Sequence, residues 1–104
     1  MAVRRVFTYR PPGGKTVSAV LDLGRDCRVE HVVFTGDFFV YPEHALEELE
    51  EELRGCSSAG CIEAVFRRIE ERGATAVGFT WSGLAARLVE EWRRACEAVA
   101  GTRR

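Results

Sequence analysis

Asparagine and glutamine are absent from this chain, and of its fifteen basic residues only Lys15 is a lysine. Loss of the thermolabile amides beside abundant arginine and glutamate fits a thermophilic source. A GC-rich genome, which favours arginine over lysine, gives the same composition. No apolar run approaches the length of a membrane span. No long apolar segment follows Met1-Ala2-Val3-Arg4-Arg5, so a signal peptide is not expected, and the expected compartment is the cytosol. A net charge of −1 argues against a protein whose main task is gripping nucleic acid. With 46% apolar and 30% charged residues, the 104-residue chain reads as globular rather than disordered. At this length folding buries roughly 65% of the surface of the extended chain. That supports one modest core and a single domain over residues 1–104. It leaves little room for a deep substrate cleft with a full set of catalytic groups.

The chain has two textures. Residues 1 to about 36 carry strand formers and turn residues, and residues 42 to 100 carry helical periodicity. Strands first and helices after predict an α+β fold rather than a βαβ sheet. The first strand is expected over Val3 to Arg10, closed by the turn Pro11-Pro12-Gly13-Gly14. In the second, Lys15 to Leu23, Val17, Ala19, Leu21 and Leu23 alternate with Thr16, Ser18, Val20 and Asp22, as on a half-buried sheet. After Gly24-Arg25-Asp26 a third strand, Arg28 to Thr35, puts Val32 and Phe34 on one face and His31 and Val33 on the other. Such short connections make a three-stranded antiparallel meander.

Three helices follow, expected to pack on one face of that sheet. Pro42 is expected to open the first, where its missing N–H costs nothing, with Leu46, Leu49 and Leu53 as its stripe and Gly55 after its end. Ser57 or Ser58 caps the second, whose stripe is Ile62, Val65, Phe66 and Ile69, and Gly73 stops it. Ala74 to Phe79 is an apolar connector that can be extended. Thr80 or Ser82 caps the third, with Leu84, Leu88, Trp92, Cys96 and Val99 on one face. Gly101 is expected to end it, leaving residues 102–104 as a frayed tail.

The chemistry-bearing residues are few. Gly13-Gly14-Lys15-Thr16 has the look of a phosphate loop, but Tyr9 stands where the first Walker glycine belongs, and a strand rather than a helix follows. A hairpin turn is the better reading, with Lys15 placed to reach a partner or an anion. Cys56 and Cys61 are spaced more widely than a zinc pair, and no second pair follows, so no metal site is expected. A disulfide from Cys56 to Cys61 or to Cys27 fits a hyperthermophile, while Cys96 reads as a small buried hydrophobe. His31 and His44 have no nucleophile arranged near them in sequence, and no catalytic residue is assigned. The glutamates around Glu47 to Glu52 read as a solvated helix face.

The most specific segment is Gly36-Asp37-Phe38-Phe39-Val40-Tyr41-Pro42-Glu43. Gly36 permits a bend or the close approach of another chain. Asp37 can accept N–H bonds at the turn. Phe38 and Phe39 point to opposite sides of an extended chain, so that one can enter the core while the other faces outward. The segment, the helix after it and the upstream turn Tyr9 to Lys15 together resemble the accessory domain of lipoate–protein ligases, which in some archaea is a separate small subunit. The similarity covers residues 5 to about 70. It weakens afterwards, where Trp81-Ser82-Gly83 replaces the usual helix start. The resemblance implies a fold like that of iron–sulfur scaffold and sulfur-acceptor proteins. It also implies a chain that is no enzyme alone but assists a catalytic subunit in making lipoyl-adenylate. Lipoate, ATP and Mg would be bound by that subunit, lipoyl acceptor proteins would be indirect partners, and neither nucleic acid nor membrane would be involved. Lys15, Gly36, Asp37, Phe38 and Phe39 are the expected partner-binding residues. A role of a different class, an iron–sulfur scaffold or sulfur-transfer protein, would use Cys27, Cys56 or Cys61 as cluster ligand or persulfide carrier, with an exposed reactive thiol.

Overall fold

A computed structural model describes residues 3–102, and side chains up to Val99. The alternation in the first third of the chain builds three strands, β1 (Val3–Tyr9), β2 (Val17–Leu23) and β3 (Val29–Gly36), joined as an antiparallel meander in the order β1-β2-β3. Val17, Ala19, Leu21 and Leu23 of β2 are buried, as are Phe7 of β1 and Val29, Val32 and Phe34 of β3. Register pairs Phe7 with Ala19 and Ala19 with Phe34, so these residues line one face. The other face carries Val6, Val20 and Val33 in one cross-strand row and Arg4, Asp22 and His31 in the next.

The helices α1 (His44–Leu53), α2 (Ala59–Glu71) and α3 (Trp81–Thr102) cover the buried face. α1 packs on β3, α3 packs on β1 and β2, and α2 packs on α1 and α3. Their stripes meet in one core that includes Leu49, Leu53, Ile62, Ile69, Leu84 and Leu88. The Ser58 hydroxyl accepts the Cys61 N–H at 3.1 Å and caps α2, and the Thr80 hydroxyl accepts the Gly83 N–H at 3.1 Å and caps α3.

Several expectations need correction. β1 ends at Tyr9 and β2 starts only at Val17, because the Lys15 N–H is drawn away to the Gly78 carbonyl at 2.8 Å. Pro42 does not open α1; it precedes the first helical residue, His44, and its carbonyl accepts the Ala45 N–H at 2.9 Å. In α1, Ala45 joins Leu49 and Leu53 in the core, and Leu46 is half-buried. Gly101 does not end α3, which runs through it to Thr102; the rest of the expected tail, residues 103–104, lies outside the described residues. The connector after α2 contains a strand, β5 (Thr75–Val77), which pairs antiparallel with β4 (Phe39–Tyr41) as a separate two-stranded ribbon. All four cysteines are paired, Cys56 with Cys61 and Cys27 with Cys96. Cys96 is therefore a half-buried disulfide partner rather than a small hydrophobe of the core.

Candidate partner-docking surface

Register decides which segments meet. Val17 of β2 pairs with Gly36 of β3, which puts the turn before β2 and the corner after β3 at one end of the sheet. At that corner the strand must pass against its neighbour: a Cβ on Gly36 would overlap the Thr16 carbonyl oxygen. The close approach that Gly36 permits is thus of the protein's own backbone. The chain then turns into β4, and Asp37 lies exposed at the turn with no hydrogen bond among the described residues, contrary to the expectation that it accepts N–H groups there.

The two phenylalanines divide as adjacent residues of an extended chain must. Phe38 is half-buried, its ring edge-on to Phe79 at 5.1 Å. Phe79 stands edge-on to Trp81 at 5.2 Å, and the Trp81 indole N–H donates to the Ala74 carbonyl at 3.0 Å. Phe38 therefore anchors the ribbon to the core through an aromatic series. Phe39 points the other way and is 73% exposed.

Alternation carries this outward face further. Phe39 pairs with Val77 and Tyr41 with Thr75, all on one side of the ribbon, while Val40 and Ala76 pack against the core. Tyr41 is 75% and Val77 60% exposed. Lys15 borders this face. Its backbone bonds Gly78, the residue after Val77, and its side-chain stem lies so close that a Cβ at Gly78 would stand 3.0 Å from Lys15 Cγ and 3.3 Å from Phe38 Cβ. The structure thus brings Lys15, Phe38 and Phe39 to one ribbon. Tyr41 and Val77 share this face, though the sequence pattern did not single them out. The period-2 spacing of Phe39 and Tyr41 was a signal for the first; Val77 becomes visible only once β5 is known to pair with β4.

The surroundings are largely neutralised. Glu52 is held below the ordinary carboxylate range by the hydrogen bond from Arg72, with Arg68 adding to it, and Glu48 also faces Arg72 at 3.3 Å. Burial pushes Glu50 up, although its carboxylate accepts the Phe34 N–H at 2.8 Å and so covers part of the open edge of β3. Glu47 and Glu51 remain on the solvated side of α1, as the sequence pattern indicates. The loop Gly13-Gly14-Lys15-Thr16 leads into a strand, where a Walker loop leads into a helix. Among the described residues no group of three or more His, Cys, Asp or Glu is placed to hold a metal ion. No helix among them is long and apolar enough to cross a membrane. With every cysteine in a disulfide there is no free thiol to carry a persulfide or ligate a cluster in this state.

No family model and no curated protein sequence matches the chain. Its fold does match a chain in the structure of an archaeal lipoylation system from Thermoplasma acidophilum, a bipartite lipoate protein ligase with its E2 lipoyl domain. The TM-score is 0.70 at 26% identity, over 81% of this chain and 92% of that one. The resemblance to lipoate–protein ligase accessory domains carried by Gly36 to Glu43 thus has a counterpart in three dimensions: the chain resembles a component of an archaeal two-part lipoate ligase system.

Proposed function

We propose that this chain is the non-catalytic accessory subunit of a two-component lipoate–protein ligase and assists the ATP-dependent formation of lipoyl-adenylate by a separate catalytic subunit. The observation that carries this reading is the likeness to a chain of the Thermoplasma bipartite ligase system. The aligned stretch is most of each of the two chains. In this role lipoate, ATP and Mg bind to the catalytic subunit, lipoyl acceptor proteins meet this chain only through it, and both work in the cytosol of a thermophile.

The docking surface is the outward face of the ribbon, Phe39, Tyr41 and Val77, with Lys15 and Asp37 at its margin and Gly36 and Phe38 holding its shape. Exposed aromatics on a rigid two-stranded support are suited to be interface anchors, whereas a marginal lysine acts mainly on association rate and salt dependence.

The test is lipoate-dependent pyrophosphate release from ATP. This chain alone releases none, and its addition raises release by the catalytic subunit strongly. Release by this chain alone, or equal release by the catalytic subunit with and without it, refutes the proposal. In the same assay a Cys27→Ser/Cys56→Ser/Cys61→Ser variant that keeps its circular dichroism retains the stimulation. Its loss in the folded variant indicates thiol chemistry instead.

A further inference from the structure

The two disulfides are unlike in span, place and accessibility. Cys27–Cys96 joins residues 69 apart and ties the turn after β2 to the C-terminal half of α3, where the Trp92 indole N–H also donates to the Cys27 carbonyl at 2.9 Å. Cys56–Cys61 joins residues five apart, across the corner between α1 and α2. Within this second pair the two sulfur-bearing residues face different surroundings. Cys56 is 1% exposed and belongs to the core, whereas Cys61 is exposed in the first turn of α2.

We propose that Cys56–Cys61 is a redox-active disulfide that is opened by a dithiol at the sulfur of Cys61, the exposed residue of the pair, while Cys27–Cys96 serves only to hold the fold. Access sets the direction of attack. A thiolate of the reductant reaches Cys61 Sγ and forms a bond to it; the Cys56–Cys61 bond breaks, and its electron pair leaves on Cys56 Sγ, which takes up a proton. The second thiol of the reductant, once deprotonated, attacks the mixed disulfide, closes the reductant into its own disulfide and releases Cys61 as thiolate. Two electrons pass from the dithiol to the cystine, and two cysteines result.

The place of Cys61 favours the opened form. The first turn of α2 lies at the positive end of the helix dipole, and it holds no acidic residue to oppose a thiolate. The corner is also held by hydrogen bonds beside the covalent one. The Cys56 carbonyl accepts the Val29 N–H at 2.7 Å, the Gly55 N–H donates to the Val29 carbonyl at 2.8 Å, and the Cys56 N–H donates to Leu53 at 3.1 Å. On the other side Ser58 caps the Cys61 N–H. Both thiols therefore stay at hand for re-closure. Opening a span of five residues frees little of the unfolded chain compared with opening a span of 69, so the cost to the fold is small.

The test is a titration of the folded chain with dithiothreitol, quenched by an alkylating agent, with each cysteine located by peptide mass mapping. The expected result is joint alkylation of Cys56 and Cys61 at a dithiol concentration at least tenfold below that needed to open Cys27–Cys96, with unchanged far-ultraviolet circular dichroism. Opening of both pairs together, or of Cys27–Cys96 first, overturns the proposal. A second measurement addresses the direction of attack. In a folded Cys56→Ser chain iodoacetamide modifies Cys61 at least tenfold faster than it modifies Cys56 in a folded Cys61→Ser chain; equal rates refute attack at Cys61.

Discussion

Glu91 lies in α3 at 1% exposure, with guanidinium groups on three sides. Arg5, from the inner face of β1, bonds one carboxylate oxygen; Arg87 bonds the other at 2.9 Å, and Arg94 stands at 3.8 Å. Arg87 also lies over the Phe7 ring at 5.4 Å. Burial pushes the Glu91 carboxyl up, but the hydrogen bonds and charges of Arg5 and Arg87 outweigh it and hold the group below the ordinary glutamate range. A carboxyl with a depressed folded pKa contributes stability that is fully present above its unfolded value, about 4.3, and is lost as pH falls through the folded value. Arg5 is 37% exposed, so an Arg5→Met change should cost about 2 kcal/mol at pH 7 rather than the roughly 3–5 kcal/mol of a fully buried pair. Urea unfolding at pH 7 and at strongly acidic pH checks this. The gap between parent and variant should narrow in acid, and a gap that widens there would contradict the ion-pair explanation. Sequence pattern does not show this network, because Glu91 looks like any solvated glutamate until β1 is laid across α3. Pattern does show which residues of β2 and β3 point inward, because a period of two leaves only one way to bury Val17, Leu21, Val32 and Phe34 together.

The elements themselves divide by length. Strands of seven or eight residues and helices of ten or more repeat their period often enough to be read from the sequence, and β1 to β3 and α1 to α3 all stand where expected to within a few residues. β4 and β5 are three residues each, too short for a period, and they exist because each completes the other's hydrogen bonds. The glycine at the entry to β4 was legible, but its reason was not: the backbone that fills the space at Gly36 is the chain's own Thr16. Gly36→Ala should therefore lower the unfolding free energy by about 1–3 kcal/mol through strain and overlap, measurable by thermal or urea unfolding. A change under about 0.5 kcal/mol would mean that the β3–β4 corner relaxes freely. For the start of α2, Ser58→Ala removes the acceptor for the Cys61 N–H and should cost about 1 kcal/mol in the same assay. A neutral result would mean that the disulfide beside it, rather than the cap, fixes the first turn.

For the molecule as a whole, one core is closed by a covalent tie between residues 69 apart. Chain-entropy reasoning makes that tie worth about 4 kcal/mol. A Cys27→Ser/Cys96→Ser variant should lose about that much in urea unfolding, and a loss below about 1 kcal/mol would show that the Trp92 and helix contacts hold α3 in place unaided. Cys56–Cys61 is one of the two pairings the sequence left open, but the Cys27–Cys96 pair was not legible, because it depends on the approach of α3 to the turn after β2, and spacing in sequence carries no information on that. The geometry of the surface proposed for docking was legible in part. Lys15 and Phe39 do lie at one end of the sheet, as antiparallel strands of similar length require, but the ribbon that links their surroundings was hidden in an apolar connector. Two exposed apolar features now compete as an interface, the ribbon face around Phe39 and the open sheet face around Val6, which is 69% exposed. Titration calorimetry against the catalytic ligase subunit separates them, with the parent chain, Phe39→Ala and Val6→Ala each injected as folded protein. Docking through the ribbon predicts that Phe39→Ala loses about 2 kcal/mol, roughly a thirtyfold weaker affinity, while Val6→Ala binds like the parent. Unchanged affinity for Phe39→Ala, with loss for Val6→Ala, would contradict docking through the ribbon and move the interface to the open face of the sheet.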